Sequence, residues 1–332
     1  SGFYTQGAHD SAATAYNNYI YISGGQWGTV RPNNQIYRAS INSDGSLGTW
    51  NLLTTMPEGL QDHKMVINRN PSGNGATVYL IGGLADRGSG EVAINNVNYA
   101  PVLSDGTIGS WTVGPRLDFT THGHDIAISN NKMYKYGGGS GGAGINIVEY
   151  VTINNDGSLT GDGSNSWIRG PTQNLPVSRA YYLAGGPYPE WDVAGTGIVP
   201  NKVYAIGGED DSMCVPTTTP PINTNLNSVF VATPQSNGEI TSWSSTISLP
   251  EGRFDHSANF VKDSIIVVGG MNRPLHTSNT CAFQDATAKD TVFIARLDQN
   301  GNIVRWYNGL SLPSPRGDHT SVIYNNNIYV LG

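Results

Sequence analysis

Histidines with an aspartate beside them recur along this chain, as in Asp62-His63, His124-Asp125, Asp255-His256 and Asp318-His319. Imidazoles gathered around one axis would make a metal site. Recurrence at equivalent places of a repeat favours a structural role instead, each histidine closing its own unit by hydrogen-bonding nearby backbone. His122-Gly123-His124 is a tighter pair, yet i, i+2 spacing on a strand puts both rings on one face and supplies no third ligand. No metal is expected.

Other motifs fade on the same scrutiny. Asn154-Asn155-Asp156-Gly157-Ser158 and Asp298-Gln299-Asn300-Gly301-Asn302 look like calcium loops but lack the bidentate glutamate at the twelfth position. Arg316-Gly317-Asp318 spells an integrin-type tripeptide, in a place where the repeat itself calls for Arg and Asp-His. The run from Gly137 to Gly142 is glycine-rich but has no lysine and no following helix to cradle phosphate. There is no Gly-x-Ser-x-Gly elbow and no His-Glu-x-x-His pair. No catalytic residue and no cofactor is therefore assigned.

The elements that position these residues repeat. Tyr19-Ile20-Tyr21-Ile22-Ser23-Gly24-Gly25 returns as Val78 to Gly83, Met133 to Gly138, Val203 to Gly208, Ile265 to Gly270 and Ile328 to Gly332. Each copy is a short apolar run ended by glycine, the mark of a buried strand. The first half of each unit starts near a histidine: His9, His63, His124, His256 and His319, with Arg179 in the fourth. The second half holds two more strands around Asp44-Gly45, Asp105-Gly106, Asp156-Gly157, Asn237-Gly238 or Asn300-Gly301, a strong hairpin signal. It ends at Trp50, Trp111, Trp167, Trp243 or Trp306. A proline (Pro57, Pro115, Pro176, Pro250, Pro313) lies in each connection that follows. Four strands per unit, repeated about every sixty residues, predict a β-propeller.

The combination resembles the kelch repeat: the twin-glycine strand, a later Tyr37, Tyr99, Tyr150, Phe230 or Phe293, the tryptophan after the hairpin, and Arg253-x-x-His256 and Arg316-x-x-His319. The resemblance implies that the strand near the histidine is innermost and the tryptophan strand outermost. Blade four departs from it, lacking the histidine and carrying an insertion from Gly185 to Asn201 with Trp191. The expected fold is all-β, a single kelch-like propeller over residues 1–332 with six blade positions of four-stranded antiparallel sheets, the last incomplete. Phe3 to Gln6 are candidates for an outer strand of that last blade. A stop one residue short of a twin glycine leads us to expect that the natural chain continues.

Composition narrows the function classes. Net charge is −7, only 13% of residues are charged, and lysines and arginines are scattered singly. That leaves no basic stripe for nucleic acid or anionic lipid. No apolar run approaches a membrane span. Low charge with abundant Asn, Thr and Tyr points to an extracellular or cell-surface protein. The one N-x-[ST] match, Asn70-Pro71-Ser72, is spoiled by its proline, which leans toward a bacterial source.

Alternating connections put the loops after the twin glycines on one face with the loops carrying the Pro-Arg-His stretches. Variable loops on a rigid scaffold are where recognition lives. The expected ligand contacts are Trp27, Arg31, Arg87, Glu91, Arg253, Asp255, Arg273, His276, Arg316 and Asp318. The expected function is a non-catalytic binding or adhesion module with a protein or glycan ligand, open to self-association in a surface assembly. The alternatives are a carbohydrate-active enzyme like the sialic-acid mutarotase or galactose oxidase of kelch-like propellers, and a structural module of a filament or sheath. The two cysteines, Cys214 and Cys281, fall in equivalent loops of consecutive blades, which predicts a disulfide between them.

Overall fold

A computed structural model describes residues 8–27, 32–140, 143–170, 173–179, 184–186, 201–210, 225–273 and 286–332. All regular structure among them is antiparallel sheet. No helix there is long and apolar enough to cross a membrane.

Each repeat becomes one sheet, its strands in chain order from the axis outward. Blade 1 consists of Ala12–Tyr16, Tyr19–Ser23, Gln35–Ser40 and Asn51–Thr55. Blade 2 has Lys64–Arg69, Ala76–Ile81, Val97–Val102 and Thr112–Val113. Blade 3 has Asp125–Ser129, Lys132–Tyr136, Val148–Ile153 and Leu159–Thr160. Blade 4 has Ala184–Gly186, Val203–Ile206, Val229–Ala232 and Ser244–Ser245. Blade 5 has Ser257–Val261, Ser264–Val268, Val292–Leu297 and Ile303–Asn308.

The sixth repeat forms only the hairpin Thr320–Tyr324 and Asn327–Leu331. The propeller thus has five blades rather than six, and the sixth position, expected to be incomplete, holds this hairpin alone. The hairpin's inner strand packs against the inner strands of blades 5 and 1, so the ring still closes. Phe3 to Gln6 lie outside the described residues.

The core is layered between neighbouring blades rather than pooled at one centre. Tyr21, Ile36, Met65, Ile67, Val78 and Leu80 pack blade 1 on blade 2, and Tyr204, Ile206, Phe260, Ile265 and Val267 pack blade 4 on blade 5. Similar layers join blades 2 to 3 and 3 to 4.

Three contacts repeat between blades and account for the repeat's residues. The first uses the twin glycines. Gly82 sits at φ +53°, and a Cβ there would lie 2.9 Å from both His124 Cε1 and Thr121 O. Only glycine leaves room for the next blade's imidazole. His63, His256 and His319 pack in the same way on Gly24, Gly207 and Gly269. Each histidine therefore wedges onto the preceding blade, which corrects the expectation that it closes its own.

The second contact is a tyrosine latch. Tyr21 donates to the hairpin carbonyl of Gly106 at 2.9 Å, Tyr79 to Gly157 at 2.7 Å, and Tyr204 to Gly301. Tyr329 donates to Gly45 at 2.9 Å across the closing seam. These phenols meet four of the five Asp-Gly or Asn-Gly turns. At Asn237-Gly238 the latch is not made, and the Tyr134 hydroxyl is buried without a partner.

The third contact comes from the tryptophans. Trp111, Trp167, Trp243 and Trp306 donate Nε1 to the carbonyls of Thr55, Pro115, Gln173 and Ile247 of the preceding unit, at 2.8–3.0 Å. Trp167 is buried. Trp167→Ala is expected to cost about 3–5 kcal/mol, read by urea unfolding. A loss below about 1 kcal/mol would show that this interface repacks.

Candidate functional site

Where each approach segment turns into an inner strand, the backbone enters the left-handed region. Four blades place aspartate there: Asp10 (φ 60°), Asp62 (φ 54°), Asp255 (φ 51°) and Asp318 (φ 54°). Blade 3 places Gly123 (φ 56°) there, so the turn itself does not need a carboxylate. The backbones join in a relay around the axis. Asp10 N donates to Asp318 O at 3.3 Å, Asp62 N to Asp10 O at 3.0 Å, and Gly123 N to Asp62 O at 3.0 Å.

This relay brings the four carboxyls together at one end of a central cavity of about 150 Å³, which all four residues line. Asp62 and Asp255 are buried, while Asp10 and Asp318 are half-buried and reach the surface. Burial holds the Asp62 carboxyl well above the usual range, with Asp10 hydrogen-bonded beside it. Burial, then Asp318, does the same to Asp255. Asp318 is raised too, by burial and by Asp10. The arrangement is that of two carboxyl pairs, each sharing a proton. Asp255 Oδ1 is buried without a hydrogen-bond partner.

Few cations offset this charge. His9 Nδ1 lies 2.6 Å from Asp10 Oδ2, and that hydrogen bond raises the imidazole's pKa. Lys64, which also lines the cavity, is held 3.1 Å from Asp125. The wedge histidines stay neutral: burial pushes His63 and His256 down to about 3 and His319 to about 4. Among the described residues no group of three or more His, Cys, Asp or Glu is arranged to hold a metal ion.

The shared face expected for the twin-glycine loops and the approach segments is present. Gln61 pairs with Leu84, His122 with Gly139, Phe254 with Met271 and Lys289 with Arg316. On that face Asp255 and Asp318 join the acidic mouth. Glu91 accepts from Gln61 Nε2 at 3.3 Å at its edge. Arg87 lies farther out, paired with Glu58 at 2.7 Å.

Of the remaining arginines, Arg253 and Arg273 turn inward. Arg253 is buried, stacks on Phe293, and donates to Gly269 O at 2.8 Å and to Glu251 at 2.7 Å. Arg316 caps Gly332 O in the same fashion. Arg273 is buried against Glu209 at 2.6 Å. Trp27 belongs to the short strand Gln26–Trp27, which pairs with Ala8–His9. Arg31, His276, Cys214, Cys281 and Trp191 lie outside the described residues, and no disulfide occurs within those described.

Asp10 and Asp62 are absent from the sequence-based set of ligand contacts. The signal for Asp10 is hidden by a register shift. Gly25 crowds His9 O and Ser11 Cβ as Gly83 crowds Gln61 O and His63 Cβ. Ser11, not His9, thus occupies the wedge position in blade 1, and Asp10 is the counterpart of Asp62.

With this geometry in place the chain can be set beside known proteins. No family model and no curated protein matches it. The solved structure of YjhT superposes with a TM-score of 0.65 over 97% of this chain and 89% of that one, at 15% identity. This is a likeness of fold. The chain is a β-propeller.

Proposed function

We propose that this kelch-like propeller is a non-catalytic binding or adhesion module of an extracellular or cell-surface protein, and that it takes a protein or glycan ligand at the acidic axial mouth. The observation that carries the reading is the buried, unpartnered Asp255 Oδ1 on the cavity, inside a cluster of carboxyls. Buried polar atoms normally have partners, and crowding carboxylates costs stability. Gly123 shows the turn is made without that cost, so the carboxyls are better explained by something they bind.

The test is a glycan array and protein-partner screen on the wild type, Asp10→Asn and Asp318→Asn. Losing one charge-assisted hydrogen bond should weaken a bound hit about tenfold or more. Hits of undiminished affinity in both variants would place the ligand elsewhere.

A carbohydrate-active enzyme is the second reading. The buried Arg273–Glu209 pair favours it, since such a pair is suited to gripping a sugar acid. Neither residue lines the cavity, which ranks this reading second. NMR of reducing sugars decides: accelerated anomerisation lost in Arg273→Lys would replace the binding module with an enzyme.

A further inference from the structure

We propose that the axial mouth binds an organic ammonium ion, a primary amine whose charged head sits among Asp10, Asp62, Asp255 and Asp318 while its compact body enters the cavity. The inference rests on the axial mouth being the binding site and names the chemistry that site selects.

Charge comes first. His9 answers Asp10 and Lys64 answers Asp125, and no ion pair joins a cation to Asp255 or Asp318 among the described residues. An anion would meet this cluster at its own cost. The second observation is unmet hydrogen bonding. Asp255 Oδ1 is buried and unpartnered, and so is Nδ1 of the cavity-lining His63. An ammonium group has three donors on a small head and no acceptor, which matches acceptors converging from separate blades. A metal ion needs a compact ligand shell, and no such set exists among the described residues.

Size comes next. The cavity of about 150 Å³ matches an engineered void of roughly that volume known to take benzene. Its wall mixes Ser257, Asn259 and Ser321 with Ala13, Ala258 and Val322. Two bodies therefore fit the shared ammonium chemistry, an aromatic ring and a hexose ring, as in an arylalkylamine and an amino sugar.

The charged and titratable groups that face the mouth and cavity are the four aspartates, Glu91, His9, His122 at 3.5 Å from Asp62, the Lys64–Asp125 pair, and the neutral imidazoles of His63, His256 and His319. Burial and crowding favour the protonated form of Asp62, Asp255 and Asp318, and a bound cation favours the charged form. Affinity should accordingly rise with pH through the carboxyl range, and binding should release protons.

Isothermal titration of the full chain with benzylamine and with glucosamine tests this, with benzyl alcohol, glucose and calcium chloride as parallel arms. At least one amine should bind with Kd of about 1 mM or tighter, about tenfold or more better than its neutral counterpart. Its heat should differ between buffers of unlike ionisation enthalpy, as proton release requires. Asp255→Asn and Asp318→Asn should each weaken it about tenfold or more, with thermal unfolding confirming that both are folded.

The proposal is overturned if neither amine outbinds its neutral counterpart, if calcium alone binds, or if both variants bind as the wild type does. A screened ligand that needs Asp318 while no amine competes would retire the ammonium and keep the site. Amine binding with a screened ligand indifferent to Asp318 would do the reverse.

Discussion

Lys135→Met should cost about 3–5 kcal/mol, because it strands Glu149 as a lone buried charge. The two face each other across adjacent strands of blade 3 at 3.3 Å, both fully buried. Glu149 also accepts the backbone N–H of Asp118 at 2.6 Å, so its carboxylate is fixed in place. Burial lowers the Lys135 pKa and raises that of Glu149, in each case against the pull of the partner. Desolvation therefore outweighs attraction, and the pair is tolerated rather than stabilising. The double variant Lys135→Met/Glu149→Leu should recover most of the loss. Urea unfolding of the two singles and the double measures it. A single variant within about 1 kcal/mol of wild type would mean that water reaches the pair.

The second large effect is a stability maximum in mildly acid solution. A neutral wedge histidine with a folded pKa of about 3 or 4 resists a proton that the unfolded chain accepts near 6.5. Its stabilisation is complete above about pH 6.5 and fades at about 1.4 kcal/mol per unit for each histidine as pH falls. Asp62, Asp255 and Asp318 behave oppositely. Their raised folded pKa values make the folded chain hold protons that the unfolded one sheds near 4, so stability falls as pH rises through the folded values. Between about pH 4 and 6.5 the trends oppose, and below about 4 the histidines are joined by Asp44, Asp105, Asp156 and Asp298, whose carboxyls their turn hydrogen bonds hold below the usual range. His124 is lowered as well, so between those limits four histidines outweigh three carboxyls, and thermal unfolding from pH 3 to 9 should peak near the upper limit, about pH 6.5. Asp255→Asn should flatten the alkaline limb and raise the melting temperature at pH 8. An alkaline limb unchanged by that substitution would contradict the origin assigned to it.

Much of the scaffold was legible because its cause is local. Twin glycines, Asp-Gly turns and tryptophans each carry their reason within a few residues, and each lies where the repeat put it. Blade count was harder. The strand Ile328 to Leu331 reads like its five predecessors, but the sixth sheet has only two strands among the described residues. The site was half legible. Asp255 and Asp318 stood out between an Arg and a His, whereas Asp62 lacks the arginine and Asp10 follows its histidine and precedes a serine, and convergence of the four carboxyls depends on ring closure that no window of sequence contains. Arg253 differs from its reading for the opposite reason. Its polar neighbours suggest exposure, but the side chain is buried and folds back to cap a glycine carbonyl, while Arg316 makes the same kind of cap at the surface.

Closure itself rests on weak fasteners. The seam between the sixth hairpin and blade 1 is held by Tyr329 on Gly45, by Tyr324 with Asn18 at 2.7 Å, and by Asp10 N on Asp318 O. The mouth takes two of its carboxyls from either side of that seam, at opposite ends of the sequence. Whatever is gripped there works as a clasp on a bracelet. It lowers the freedom of nearly the whole chain by joining two points, and the ring should resist heat and pulling in proportion to how tightly the clasp is occupied.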